Sequence, residues 1–529
     1  MGTAKEILKL KTFQDLCKDV NKFVESKLSG YTPPITGGKV IHDPVWGSVE
    51  YATWEMQIID TPLFQRLRDI CQVGLAMLTY PSARHSRFEH SLGVASAAKL
   101  MCEKIDRNTQ EFRLEEETRN TIILAALLHD IGHCFYSHLS ESIYGSFEFL
   151  DGLRRDITKI LLLKPKPHEI LSFVVVNTPA FKKFFKDYIS FPQKEILGDG
   201  LFLDIGCMII GANIKKGQKI HSYQTSIING PFDADKLDYI KRDSVTAGLA
   251  LQYDMERLFT KLRVFHEVVN GEIECKLVID LNGVTAIEEL TFCKIMLFSY
   301  IYYHHKVLVS EALVRDYVFG LCELGLLNNC SDFLKYTDSD ILSLAESAKG
   351  YKPFPDYGDL DLIELAANIK NRRLPKRCFE ISQNNIDINE NCDKTMDYFV
   401  KPFLKASFTD LLDIRRNFYE QLVKKYKEKG RKVNFSMFDI YIIFPDTAYY
   451  GTGDDKVVLG RDQKHLITIN QFIKLDPWAE AFKSNKWRGY IFVSEKIDNQ
   501  IAYEVSCEFV FKGEAKLSNP SLYIKGILE

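Results

Sequence analysis

Apolar residues recur at spacings of three and four from Lys39 to about residue 310, which predicts a series of helices that each bury one face. The clearest runs are "LFQRLRDICQVG", "FEHSLGVASAAKLMCEKI", "EETRNTIILAALLHDIGH" and "AIEELTFCKIMLFSYIYYHHKVLVSEALVRDYV". Shorter helices continue to about residue 380, broken by "GYKPFPDYGD", where Gly and Pro interrupt the period. The pattern then changes. "NFSMFDIYIIFPDT", "KHLITINQ", "WRGYIFVS" and "IAYEVSCEFVF" are rich in β-branched and aromatic residues between turn formers, which predicts strands, with one helix, "TDLLDIRRNFYEQLVKKYKEKG", among them. Ahead of all these lie a short amphipathic helix and "SGYTPPITGGKVIHDPVWG", whose Gly and Pro mark a linker. The expected fold class is mainly α, a helical core with a smaller C-terminal α+β lobe. The divisions fall at 1–37 (N-terminal helix and linker), 38–310 (helical core domain), 311–380 (helical extension) and 381–529 (α+β lobe).

A chain of 529 residues exceeds what one hydrophobic core supports, in keeping with several lobes. The apolar fraction of 46% places it among globular proteins, and the net charge of -3 gives no general attraction to nucleic acid or membrane. Twelve cysteines without a C-x-x-C pair argue against a zinc ribbon or a disulfide framework and fit reduced thiols in a cytoplasmic protein. The first residues alternate charge with apolar positions and lack the apolar stretch of a signal peptide, and Glu6 stands where a myristoylation site has Ser or Thr. No run of 18 apolar residues is present, so a spanning helix is not expected. The basic run "VKKYKEKGRK" reads as a solvated helix end, and "YGTGDDK" as a turn without phosphate-loop spacing.

Chemistry concentrates in "LLHDIGHCFYSH", residues 127–138, at the end of an apolar helix. His129 and Asp130 are adjacent, and His133 lies one helical turn on, so these groups can converge off the helix end. A metal ion needs further ligands. "HSRFEHSLGV" offers His90, and "NGPFDADKLDYIKRD" crowds Asp, Lys and Arg around a turn into another helix. Mixed imidazole and carboxylate ligation suits Mn, Fe, Ni, Zn or Mg without choosing among them.

His90, the His129-Asp130 pair and Asp235 resemble the H...HD...D signature of the HD-domain phosphohydrolases. "DPVWG", "IIDTPLFQRLRDICQVG", "SARHSRFEHSLGV", "LLHDIGHCFYSH", "DADKLDYIKRD" and "YYHHK" also follow one another as in the branch of the sterile-alpha-motif and HD-domain deoxynucleoside triphosphate triphosphohydrolase and its bacterial relatives. The resemblance covers residues 38 to 310, and more weakly to about 380. It implies His90, His129, Asp130 and Asp235 as ligands of a divalent ion, with His133, His138 and His168 around the phosphates, His168 as the catalytic acid and Glu141 as the partner of His138. It further implies Arg87, Lys236 and Tyr239 on phosphate oxygens and Gln72, Asp243 and Tyr303 along the sugar. Asp60, Gln65, Arg68, Arg372 and Lys376 match a regulatory nucleotide site, which implies a homo-oligomer activated by a second nucleotide.

The match also departs. Ile295 and Ser299 stand where the vertebrate enzyme has an Arg and a His on the triphosphate, with only Lys294 nearby, and no sterile-alpha-motif domain is seen. Two classes of function follow. One is metal-dependent hydrolysis of (deoxy)nucleoside triphosphates to nucleoside and tripolyphosphate, with another phosphomonoester or phosphodiester nucleotide as the nearest alternative. The other is a non-catalytic nucleotide- or nucleic-acid-binding regulator, against which the near-neutral charge weighs where nucleic acid is concerned. Control of a dNTP pool, in replication or antiviral defence, is what the resemblance implies for the process.

Overall fold

The computed structural model describes residues 4–34, 37–110, 112–193, 198–217, 219–348, 360–388, 395–404, 406–446, 457–460, 464–473, 475–520 and 524. The segments read as "GYKPFPDYGD" and "YGTGDDK", and the residues at Gly2, lie outside the described residues. Helix accounts for 59% of the structure and strand for 13%, so the mainly α expectation holds. No helix among the described residues is long and apolar enough to cross a membrane.

Two compact units form. The first comprises Met1–Leu297, Asn328–Ile341 and Gly453–Leu475, and the second Phe298–Leu327, Leu342–Thr452 and Asp476–Glu529. In the first, the helix Lys11–Leu28 buries Phe13, Leu16, Cys17, Val20, Phe23, Val24 and Leu28, a stripe at three and four spacings. It lies against Pro167–Asn177, with Phe13 and Phe173 edge to face at 5.8 Å. The centre of the unit is the helix Arg87–Asn108, flanked by Glu116–Leu128 and Ala234–Ala247. Glu89 starts it by accepting from the backbone N–H and the hydroxyl of Ser86. Glu116–Leu128 is buried from Asn120 to Leu128, so its C-terminal end delivers His129 into the interior.

Two glycines set close approaches here. A Cβ on Gly93 would meet the Asp238 carboxylate at 1.9 Å, and one on Gly132 would meet the backbone N of Ser172 at 2.3 Å. Both positions bring an HD-motif segment against the helix that braces it.

The mainly helical expectation for residues 39 to 310 missed a sheet. Leu262–Val269 and Glu272–Asp280 pair antiparallel through a two-residue turn, Asn270-Gly271, with φ of 52° and 79°. Two positive φ values are what a primed hairpin turn requires, and Asn-Gly supplies them. Leu466–Thr468, expected in the C-terminal lobe, belongs to this sheet through Val457–Leu459.

The second unit has a three-stranded antiparallel sheet, Lys376–Ile381, Gly489–Val493 and Ile440–Ile443, packed with the helices Phe408–Glu428 and Asn499–Phe511. The last corrects the sequence reading: "IAYEVSCEFVF" is helix, not strand. Asp498 caps it by accepting from Gln500 and Ile501 N–H, and Ile501, Ala502 and Val505 form a buried face. Tertiary burial of that face outweighs the local β propensity. The basic run ends Phe408–Glu428, where Lys425 pairs with Glu508 and Lys429 with Glu504 at 2.9 and 2.8 Å.

Candidate metal centre

His90 is fully buried one turn into its helix. Its Nδ1 lies 2.8 Å from Asp238 Oδ2, so with the carboxylate as acceptor Nδ1 carries the hydrogen and Nε2 presents its lone pair. Asp238 is itself fixed: Arg242 Nε and Nη2 donate to it at 2.8 Å and Trp46 Nε1 at 2.7 Å. Arg242 also reaches Asp43 at 2.8 Å. "DPVWG" is thus a brace, with Asp43 holding Arg242 and Trp46 holding the carboxylate that orients His90.

His129 is arranged likewise. Its Nδ1 donates to the Ala126 carbonyl at 2.8 Å, and its Nε2, like that of His90, is buried without a hydrogen-bond partner. His90 Nε2 lies 3.0 Å from Asp235 Oδ1 and 3.6 Å from Asp130 Oδ2, while Asp130 Oδ1 is 3.3 Å from His129 Nε2. Ligand atoms of His90, His129 and Asp235 all fall within 4.8 Å of one another. Burial disfavours a charge on His90, but Asp235 and Asp238 outweigh it and raise the imidazolium to about 10. Burial would raise Asp130, yet His129, Arg87 and His133 hold it well below the carboxylate range. Two orphaned imidazole nitrogens facing ionised carboxylates fit a divalent cation, which would take the place of the proton on His90.

Beside this group lies a second. Glu141 Oε1 accepts from His138 Nδ1 at 2.6 Å and His168 Nδ1 at 2.8 Å, and His168 stacks on the fully buried His133 at 4.0 Å. Neither nitrogen of His133 has a hydrogen-bond partner. Burial opposes a charge on His168, but Glu141 outweighs it and lifts the imidazole above its ordinary value. Arg87 spans both groups, with Nη1 2.6 Å from Asp130 Oδ2 and Nη2 3.3 Å from His138 Nε2.

The other expected residues divide. Gln72 is buried with its Oε1 unpartnered, and its carbonyl accepts from Arg87. Lys236 Nζ reaches the Gly230 carbonyl at 2.8 Å and Asp233 at 2.5 Å, and Tyr239 sits beside Asp235 and Asp243. Asp243 is buried and paired with His85 Nε2 at 2.7 Å. Tyr303 belongs to the second unit, where its hydroxyl donates to the Asp446 carbonyl. Asp60 pairs with Lys39 at 3.4 Å, Gln65 accepts from Arg68 at 2.7 Å, and Arg68 covers the Phe88 ring at 3.6 Å, all in the first unit. Arg372 and Lys376 are in the second, Arg372 on a cavity of about 550 Å³ and Lys376 3.6 Å from Glu495.

Residues 87–171 match the HD domain and residues 253–399 the HD associated region. The chain carries an HD domain followed by an HD associated region. HD domains bind a divalent metal ion, and the His and Asp groups here can hold one. An uncharacterized protein of Methanocaldococcus jannaschii is 29% identical over 61% of this chain and 61% of its own length. A protein of Dictyostelium discoideum named deoxynucleoside triphosphate triphosphohydrolase SAMHD1 homolog is 27% identical, over 69% of this chain and 64% of that one. The bovine protein named deoxynucleoside triphosphate triphosphohydrolase SAMHD1 is 30% identical, over 43% of this chain and 38% of its length. The chain thus spans less than two thirds of the length of each of these three relatives. A crystal structure of a hypothetical protein from Aquifex aeolicus shares the fold at a TM-score of 0.59 and 21% identity, covering 89% of this chain and 100% of that one.

Among the residues around this HD domain, the roles of Asp238, Arg242 and Arg66 escaped the sequence reading. Asp238 and Arg242 follow Asp235 at helical spacing within a segment already singled out, which was the available signal. Arg66, buried, donates to the His133 carbonyl at 2.8 Å and to that of Ile131, so "QRLR" holds the HD loop. Lys294 makes no hydrogen bond or ion pair among the described residues. Burial, then Lys236 and Lys166, lowers it to about 8.

Proposed function

We propose that this chain is a metal-dependent phosphohydrolase that cleaves (deoxy)nucleoside triphosphates to nucleoside and tripolyphosphate. The observation that carries the reading is Arg87, whose guanidinium touches both the HD carboxylate Asp130 and His138 of the Glu141-bridged histidine group. A phosphoryl group placed there meets cationic donors on one side and a proton donor on the other. His90, His129, Asp130 and Asp235 would hold the divalent ion, which when bound neutralises phosphoryl charge and activates water. Arg87 and Lys236 orient the phosphate oxygens, and Glu141 keeps His168 protonated to hand its proton to the departing 5′ oxygen as the P–O bond breaks.

The names of the Dictyostelium and bovine relatives support deoxynucleoside triphosphates as the substrate class. One observation favours a second reading: Ile295 is fully buried and adds no charge, so a nucleotide with fewer phosphates remains the alternative. The reading extends to a homo-oligomer with a second nucleotide at Asp60, Gln65, Arg68, Arg372 and Lys376. Its physical support is that Arg68, Arg372 and Lys376 are all cationic and would repel one another if an assembly brought them together without an anion. Incubating the purified protein with each dNTP and NTP, alone and in mixtures, while following products and mass, tests all of it. Tripolyphosphate from dNTPs supports the reading; no product from any nucleotide under any divalent metal removes it.

A further inference from the structure

The loop that joins the two histidine groups is strained. Tyr136 and Ser137 both have φ of 53°, and Ser137 combines it with ψ of -128°, a conformation that residues with a Cβ rarely adopt. Such a loop persists only where its surroundings impose it. Ser137 Oγ receives Arg87 Nε at 2.9 Å and donates to the Cys71 carbonyl at 2.5 Å, and the next residue, His138, opens the helix that carries Glu141.

What imposes this conformation comes from a segment roughly two hundred residues later in the chain. Asp338 Oδ1 accepts from Tyr136 N–H at 2.6 Å and Oδ2 from Cys71 N–H at 2.8 Å, and its carbonyl accepts from the Tyr136 hydroxyl at 2.9 Å. One carboxylate thus ties both segments that flank Arg87. The tie is anchored, because Phe333 on the same segment stacks on Phe135 at 5.2 Å and packs against Tyr144 and Phe147. Asp338 and Phe333 lie in the stretch matched as HD associated region, whereas the loop lies in the HD domain.

We propose that Asp338 is a positioning residue for the reaction: it clamps the strained Tyr136-Ser137 turn so that Arg87, His138 and the Glu141–His168 pair hold their mutual geometry. The clamp rests on the functional reading above for its consequence, and on the hydrogen bonds alone for its existence. Two N–H donors arrive on two different oxygens, an arrangement that suits a carboxylate; an amide offers one acceptor and turns an NH₂ toward the other donor. Burial pushes the Asp338 carboxyl up to about 6, opposed first by the Tyr136 N–H and then by that of Cys71, which marks a carboxylate kept in place despite its surroundings.

The test compares wild type with Asp338→Asn, which preserves shape, and Asp338→Ala. Metal content and thermal unfolding establish that each variant folds. Hydrogen exchange is followed in peptides covering residues 69–75 and 133–141, and kcat and KM are measured separately. Exchange in both peptides should rise in Asp338→Asn and further in Asp338→Ala. In Asp338→Ala, kcat should fall by about 100-fold, the order expected for a misplacement near 1 Å, with KM within about threefold. Faster exchange with unchanged kcat would overturn the positioning role. Unchanged exchange would overturn the clamp itself. A wild type that turns over no nucleotide strikes the functional reading, and exchange then still decides the clamp.

Discussion

Asp238 and His90 form the hinge of the HD centre: a fully buried carboxylate, gripped by Arg242 and Trp46, accepts the Nδ1 hydrogen of a fully buried imidazole and points Nε2 at Asp235. Removing such a partner typically costs 10–100-fold in metal affinity. Asp238→Ala is expected to lose metal by about that factor in competition with a chelator, while Asp235→Ala loses it outright. Equal metal retention in Asp238→Ala and wild type would show that His90 needs no such support.

His168 stands outside the proposed ligand group of His90, His129, Asp130 and Asp235, on the start of its own helix. His168→Ala should keep its metal and lose about 10²–10⁴-fold in turnover, the range of a general acid. Because Glu141 raises the His168 pKa, the protonated form persists above the ordinary imidazole range, and activity should fall only on the alkaline side of it. Glu141→Gln should move that alkaline limb to lower pH. A limb that stays in place would remove the pair from proton transfer.

Lys294 faces Lys236 and Lys166 with Asp233 as the opposing carboxylate. A lysine so placed lacks an anion. Lys294→Met is expected to raise KM for a nucleoside triphosphate several-fold more than for the corresponding monophosphate, read from steady-state kinetics on both. Equal effects on the two substrates would place Lys294 away from the distal phosphates.

In the second unit, Arg415 and Asp316 form a buried bidentate pair, with Nη1 at 3.0 Å from Oδ1, between the rings of Phe438 and Tyr441. Leaving one partner unpaired costs about 3–5 kcal/mol. Arg415→Ala should lower the stability of that unit by this order in calorimetry, and Arg415→Met with Asp316→Leu should recover much of it. The HD metal content should not change.

A candidate metal centre was legible in the sequence because two histidines and an aspartate end an apolar helix, where buried polar groups must find a partner or a cation, whereas the full set with Asp235 came from the resemblance. Glu141 came only from the resemblance, which pairs it with His138, and the structure brings the two together at 2.6 Å. Asp338 was not, since its role depends on where a distant segment returns, and no local pattern carries that. The same limit hid the pairing of Asp43 with Arg242 and of Trp46 with Asp238, although all four sat in motifs visible along the chain. Asn270-Gly271 was a readable turn signal lost inside a helical reading. The helix Asn499–Phe511 was misread because its β-branched and aromatic residues describe propensity, whereas its burial follows a helical period.

Product identity in labelled water tests the central claim most directly. With a dNTP and a divalent metal in H₂¹⁸O, attack on the phosphorus next to the sugar should yield unlabelled deoxynucleoside and tripolyphosphate carrying one ¹⁸O, abolished in Asp130→Ala and strongly slowed in His168→Ala. Release of orthophosphate or pyrophosphate instead, or label in the nucleoside, would contradict it.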